Sequence, residues 1–138
     1  MENNIPIILY IDESLKNDFD RLLEKDSPIK GNKRVFIMAM MKGFAMKNRM
    51  KLKKRKDFVR VEYLSSEEKS IIKALSLAET KDLNIYSSPK EIYLLAEEYA
   101  SGGIKYLIEE IFGKQHGTYI KRLESQLIEE FNKIAKKT

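Results

Sequence analysis

The sequence predicts a mainly α fold, a short N-terminal strand followed by a helical domain of about five to six helices. Three observations predict it. Apolar residues recur at three- and four-residue spacing along most of the 138 residues. Helix-start signals stand ahead of these stripes, and strand-like stretches are confined to Ile5 to Ile11 and Phe58 to Tyr63. The length fits one domain over residues 1–138, read as strand-helix-helix (1–48), a basic loop or arm (49–63) and a helical part (64–138). With 43% hydrophobic and 34% charged residues there is material for an ordered core.

Ile5 to Ile11 is an apolar, β-branched run with Pro6 near its start. Asp12 stands where an N-cap belongs, ahead of Leu15, Phe19, Leu22 and Leu23, so a first helix is expected from about Glu13 to Lys25. Asp26-Ser27-Pro28 ends it, and Gly31-Asn32 opens a second helix reaching about Asn48. The centre of that helix, Val35 to Met41, is apolar on all sides, which predicts a central position. Val59, Val61 and Tyr63 alternate with polar neighbours in the extended stretch. Ser65 and Glu68 form a capping box ahead of Ile71, Ala74, Leu75 and Ala78. Ser88-Pro89-Lys90-Glu91 repeats that signal, with Pro at the first helical position, ahead of Ile92, Leu95, Ala96 and Tyr99. Gly102-Gly103 reads as a C-cap and a sharp corner before Ile104, Leu107, Ile108 and Ile111. A final helix carries Ile120, Leu123, Leu127, Phe131 and Ile134, a seam that suits the domain or a second copy.

The absence of cysteine removes disulfides, thiolate nucleophiles and cysteine metal sites, and fits a reducing compartment. The apolar runs fall far short of the roughly 20 residues that span a bilayer. Met1-Glu2-Asn3-Asn4 has no basic flank of a secretory signal, so a cytoplasmic location is expected, without membrane association.

Charge is unevenly placed. Lys42 to Arg60 holds nine cations against one acid, Asp57, a net +8 in a chain of net +5, so the remainder is net −3. Such a run neutralises successive phosphates and releases their counterions. The expected nucleic-acid contacts are Lys47, Arg49, Lys51, Lys53, Lys54, Arg55, Lys56 and Arg60, with Phe58 and Tyr63 placed to stack on unpaired bases. The bland alternative is a solvated loop, or one that docks on an acidic protein.

Catalytic chemistry has little to work with. The single histidine, His116, lies in a presumed turn, so no histidine triad or histidine metal cluster is available within one chain. Ser66-Glu67-Glu68-Lys69 contains a Ser-x-x-Lys string and a Glu-x-Lys string, but the capping box accounts for Glu68. No phosphate-cradling glycine loop is present. The expectation is a protein that is not an enzyme and carries no cofactor or metal.

The order strand, helix, turn, helix over Ile5 to Asn48 resembles the ribbon-helix-helix fold, in which two chains pair their N-terminal strands into a DNA-reading ribbon. That resemblance implies a homodimer and, as an alternative function, a transcriptional regulator. Ile5, Ile7, Leu9 and Ile11 offer almost no donors to base edges, so such a strand would serve dimerisation or sheet pairing. Two further stretches, Arg34-Val35-Phe36-Ile37-Met38-Ala39-Met40-Met41-Lys42-Gly43-Phe44 and Ala96-Glu97-Glu98-Tyr99-Ala100-Ser101-Gly102-Gly103-Ile104, resemble the Dnd system-associated protein 4 (DNA phosphorothioation-associated protein 4) family, with Ser101 where that family has Asn. The resemblance covers about Arg34 to Phe112. It implies an accessory or regulatory protein of a prokaryotic defence system based on sulfur-modified DNA, with DNA and other defence-system proteins as partners. A protein-interaction adaptor without direct DNA binding is the alternative. Physically, Gly43 reads as a close helix contact and Tyr99 as a buried anchor.

Overall fold

Residues 5–113 and 127–133 of the protein are described in a computed structural model. Strand β1 (Ile8–Asp12) leads through a 3-10 turn (Glu13–Leu15) into α1 (Lys16–Arg21), and a loop enters α2 (Asn32–Ala45). Strand β2 (Arg55–Arg60) and a second 3-10 turn (Val61–Tyr63) precede α3 (Ser66–Thr80). A third turn (Leu83–Ser87) precedes α4 (Pro89–Phe112), and residues 127–133 are helical. The mainly α expectation holds. His116 and the Ile120, Leu123 and Ile134 positions of the expected last helix lie outside the described residues.

Helix α4 is the centre of the molecule. Ile92, Leu95, Ala96 and Tyr99 are buried as the spacing requires, and so are Ile104, Leu107 and Ile111 one further stretch along. Gly102-Gly103 does not end the helix, contrary to the expected corner; α4 runs through it for 24 residues. The reason is packing. A β-carbon at Gly103 would lie 2.1 Å from the Ala39 carbonyl oxygen of α2, and one at Gly43 would lie 2.0 Å from the Tyr99 carbonyl oxygen of α4. The two helices therefore cross with their backbones in contact, a closeness that offsets the roughly 1 kcal/mol each mid-helix glycine costs.

Helix α2 buries Val35, Phe36, Ile37, Ala39 and Met40, but Met41 is half exposed, so its apolar circumference is covered on most sides and not all. The first helix is shorter than the pattern suggests and stops at Arg21, although Leu22 beyond it is still fully buried. At α3 the capping box forms, with Glu68 N donating to Ser65 Oγ at 3.1 Å and Ser65 N donating to Glu68 Oε1 at 2.7 Å. The buried face is Ile72, Leu75 and Ser76, one position round from the expected Ile71, Ala74 and Ala78, which face solvent. At α4 Pro89 holds the first helical position, yet the Ser88 side chain makes no cap, and the backbone carbonyl of Ser88 accepts from Glu91 N and Ile92 N instead.

The two strands form an antiparallel pair, Ile8 opposite Arg60 and Asp12 opposite Arg55, with a bulge between Leu9 and Tyr10. Strand-helix-helix is thus the observed chain order, but β1 pairs within its own chain. Its other edge is engaged too: Tyr10 N donates to Glu97 Oε2 at 2.9 Å and Asp12 N to Ser101 Oγ at 3.4 Å. A two-chain ribbon needs that edge free, which makes sheet pairing, and not a dimeric ribbon, the observed use of this strand.

Candidate nucleic-acid interface

Between α2 and β2 the chain must leave one helix and reach a strand while staying close to α4. Lys47 takes a left-handed conformation (φ 54°) that turns it off the helix. Asn48 Nδ2 then donates to the Gly102 carbonyl at 2.6 Å, and Met50 N donates to the Glu98 carbonyl at 3.0 Å. Gly102 has no side chain because Asn48 occupies that space: a β-carbon there would lie 2.0 Å from the Asn48 carbonyl oxygen. Farther along, Lys53 N and Lys54 N both donate to Asp12 Oδ1, at 2.6 and 3.1 Å, and Glu13 N donates to the Lys54 carbonyl at 2.8 Å. The basic loop is therefore fastened by its backbone at both ends, while its lysines are exposed.

Asp12 is buried and accepts these amides together with the Ser14 hydroxyl and amide. The Ser14 hydroxyl and the amides of Lys53, Lys54 and Ser14 hold its carboxyl down at about 2 against the opposing effect of burial. It is a fixed anion that organises the loop.

Three further carboxylates take up arginines. Glu97 is 1% exposed in the middle of α4 and accepts from Arg55 Nη2 at 2.8 Å as well as from Tyr10 N. Burial pushes its carboxyl up to about 7, the amide and guanidinium only partly countering. The Arg55 guanidinium also lies 4.5 Å over the Tyr10 ring, a cation–π contact. Glu98 accepts from Arg49 Nε at 2.5 Å, and Arg49 Nη1 lies 3.6 Å from Glu79 Oε2. Tyr99 is the buried anchor its position suggests: its hydroxyl donates to Glu79 Oε1 at 2.5 Å, and burial together with that carboxylate pushes it up to about 12.

The expected contact residues thus divide. Arg49 and Arg55 serve buried glutamates, Lys54 pairs with Glu13 at 3.1 Å, and Arg60 pairs with Glu62 at 3.2 Å. Lys42, at the end of α2, pairs with Glu110 at 2.8 Å. Lys47, Lys51, Lys53 and Lys56 are exposed and make no ion pair among the described residues. Phe58 is withdrawn from any role in base stacking: it is buried, with its ring 4.9 Å from that of Phe19 in an edge-on contact. Tyr63 remains 62% exposed. Glu68 is held by the capping box and by Lys33 Nζ at 3.2 Å. Among the described residues no cluster of three or more histidine, aspartate or glutamate side chains is placed to hold a metal, and no helix is long and apolar enough to cross a membrane.

The charge pattern alone does not single out Glu97 and Glu98. A signal was present, because two adjacent acids interrupt the apolar run Tyr93 to Tyr99 on a helix otherwise destined for the core. Buried acids of that kind require cationic partners.

These features define a small, mainly α protein with a two-stranded sheet, in which buried carboxylates of a central helix are matched by arginines and the adjoining loop displays lysines. By sequence, the family model of DNA sulphur modification system-associated protein 4 matches residues 12–138, and the chain belongs to that family. The match reaches beyond Arg34 to Phe112 at both ends. Searches of curated proteins and of solved structures returned no match.

Proposed function

We propose that this protein is a non-catalytic accessory or regulatory component of a prokaryotic DNA phosphorothioation system that contacts the DNA backbone through the loop between α2 and β2 and the start of β2. The observation that carries the reading is the division of the cations: the backbone of the loop is pinned inward while Lys47, Lys51 and Lys53 on it, and Lys56 on β2 just beyond it, stand exposed without carboxylate partners among the described residues. Ammonium groups on a fixed backbone suit phosphates, which need charge and little directionality. Binding of this kind is weakly sequence-dependent and steeply salt-sensitive.

An electrophoretic mobility shift with duplex DNA at low salt tests it. The wild-type chain retards the duplex, and a variant with Lys47, Lys51, Lys53 and Lys56 all changed to Gln loses most of the affinity. Retardation unaffected by the four changes removes the reading.

A second reading, an adaptor within the same system, is favoured by the helical residues 127–133, where Leu127, Ile128 and Phe131 are each 60 to 70% exposed. Copurification with other proteins of the system, without any DNA binding at low salt, supports the adaptor over the DNA contact.

A further inference from the structure

A cleft of about 460 Å³ opens beside β2, lined by Pro6, Arg55, Lys90, Tyr93, Leu94 and Glu97. Its wall is mainly apolar, from Pro6, Tyr93 and Leu94, and it carries two cations against one carboxylate. That carboxylate is already engaged, since Glu97 accepts from Tyr10 N and from Arg55. Arg55 is half exposed, and a guanidinium has five N–H donors. Only the bond to Glu97 uses one of them among the described residues. Lys90, in the first turn of α4, is exposed and forms no ion pair among the described residues. Arg55 is the first residue of β2, so the cleft begins where the lysine-bearing loop ends.

An apolar wall with cations beside it suits an anion that has one poorly hydrated side. Ordinary phosphate diesters do not have one, because both non-bridging oxygens are strong acceptors that lose hydration on an apolar surface. Sulfur in place of one of those oxygens keeps the single negative charge but is larger, softer and a weaker acceptor. We propose that this cleft binds the phosphorothioate linkage of sulfur-modified DNA, with the sulfur against Pro6 and Leu94 and the charge facing Arg55 and Lys90. The inference rests on the DNA-contact reading above and adds a modification-specific subsite to it. Because the phosphorus is chiral, a wall on one side and cations on the other distinguish the two configurations.

The test is fluorescence anisotropy with the full chain and three labelled duplexes of one sequence: unmodified, and carrying one central phosphorothioate in each configuration. One configuration binds about tenfold tighter than the unmodified duplex, the scale of one apolar contact in a binding pocket. Lys90→Gln, at an exposed position, and Leu94→Ser, checked for folding by thermal melting, each bring that ratio to about twofold or less. Lys53→Gln weakens all three duplexes alike and leaves the ratio unchanged. Equal affinity for all three overturns the cleft assignment and leaves the DNA contact standing. A preference that survives both cleft variants also overturns it. No binding to any duplex at low salt overturns both.

Discussion

Within the basic segment, the two arginines nearest α4 and the four lysines that make no ion pair among the described residues have gone to opposite environments. Arg49 and Arg55 reach inward to Glu98, Glu79 and Glu97, whereas Lys47, Lys51, Lys53 and Lys56 stay in water. The chemistry of the heads explains the division. A guanidinium is weakly hydrated, planar and able to serve several acceptors at once, so it can answer a buried carboxylate; an ammonium gives up more hydration to do the same. A single stretch of like charge therefore holds two kinds of cation: those that let α4 keep glutamates in the core, and those left in water, which the proposed DNA contact would use.

The largest effect that separates the two groups is on stability. Arg55→Ala leaves Glu97 without its cation in a site 1% exposed, and a loss of about 3 kcal/mol is expected in urea unfolding at about pH 9, where that carboxyl is ionised. A loss below about 1 kcal/mol would place Arg55 with the lysines. Glu97 and Asp12 then give the stability a pH signature of comparable size. The Glu97 carboxyl is raised from 4.5 to about 7, so the folded state holds its proton more firmly than the unfolded chain. Its contribution is present below about 4.5 and is lost as pH rises toward 7. Asp12 is lowered from 3.8 to about 2, so its contribution is present above about 4 and is lost as pH falls toward 2. Together they favour a stability maximum between about pH 4 and 5, and Glu97→Gln flattens the alkaline side of the melting-temperature profile while leaving the acid side. An unchanged alkaline limb contradicts the assignment.

Arg49→Ala is expected to cost less, about 2 kcal/mol, because Glu98 is a little less deeply buried than Glu97 and Glu79, the other carboxylate it leaves, is 30% exposed. The smallest stability effect belongs to the lysines. Lys51→Gln and Lys53→Gln should each change unfolding free energy by less than about 0.5 kcal/mol, as exposed unpaired charges do. A larger loss from either would erase the distinction between the two groups.

Much of the fold was legible because local signals and burial agree. Ser65 and Glu68 mark the start of α3 by chemistry confined to one turn, and Ile92, Leu95, Ala96 and Tyr99 lie on one face whatever their partners are. Gly102-Gly103 misled because a glycine pair that stops a helix and one that admits a neighbouring helix look alike in a sequence; the difference is the backbone of Ala39, Gly43 and Asn48, far away in the chain. On α3, Ile71 and Ile72 are equally apolar, and the position of α4 decides which is covered. The basic segment was evident as a charge run, but its division was not. That depends on Glu97 and Glu98, which come more than 40 residues later and declare themselves only as acids set in an apolar helix.

The most direct measurement of the central claim is the salt dependence of duplex binding. If the four lysines each neutralise about one phosphate, the logarithm of the association constant should fall against the logarithm of salt concentration with a slope of roughly −3 to −4, and the Lys47, Lys51, Lys53, Lys56 to Gln variant should bring the slope close to zero. The same slope in both proteins, at the same affinity, would contradict it.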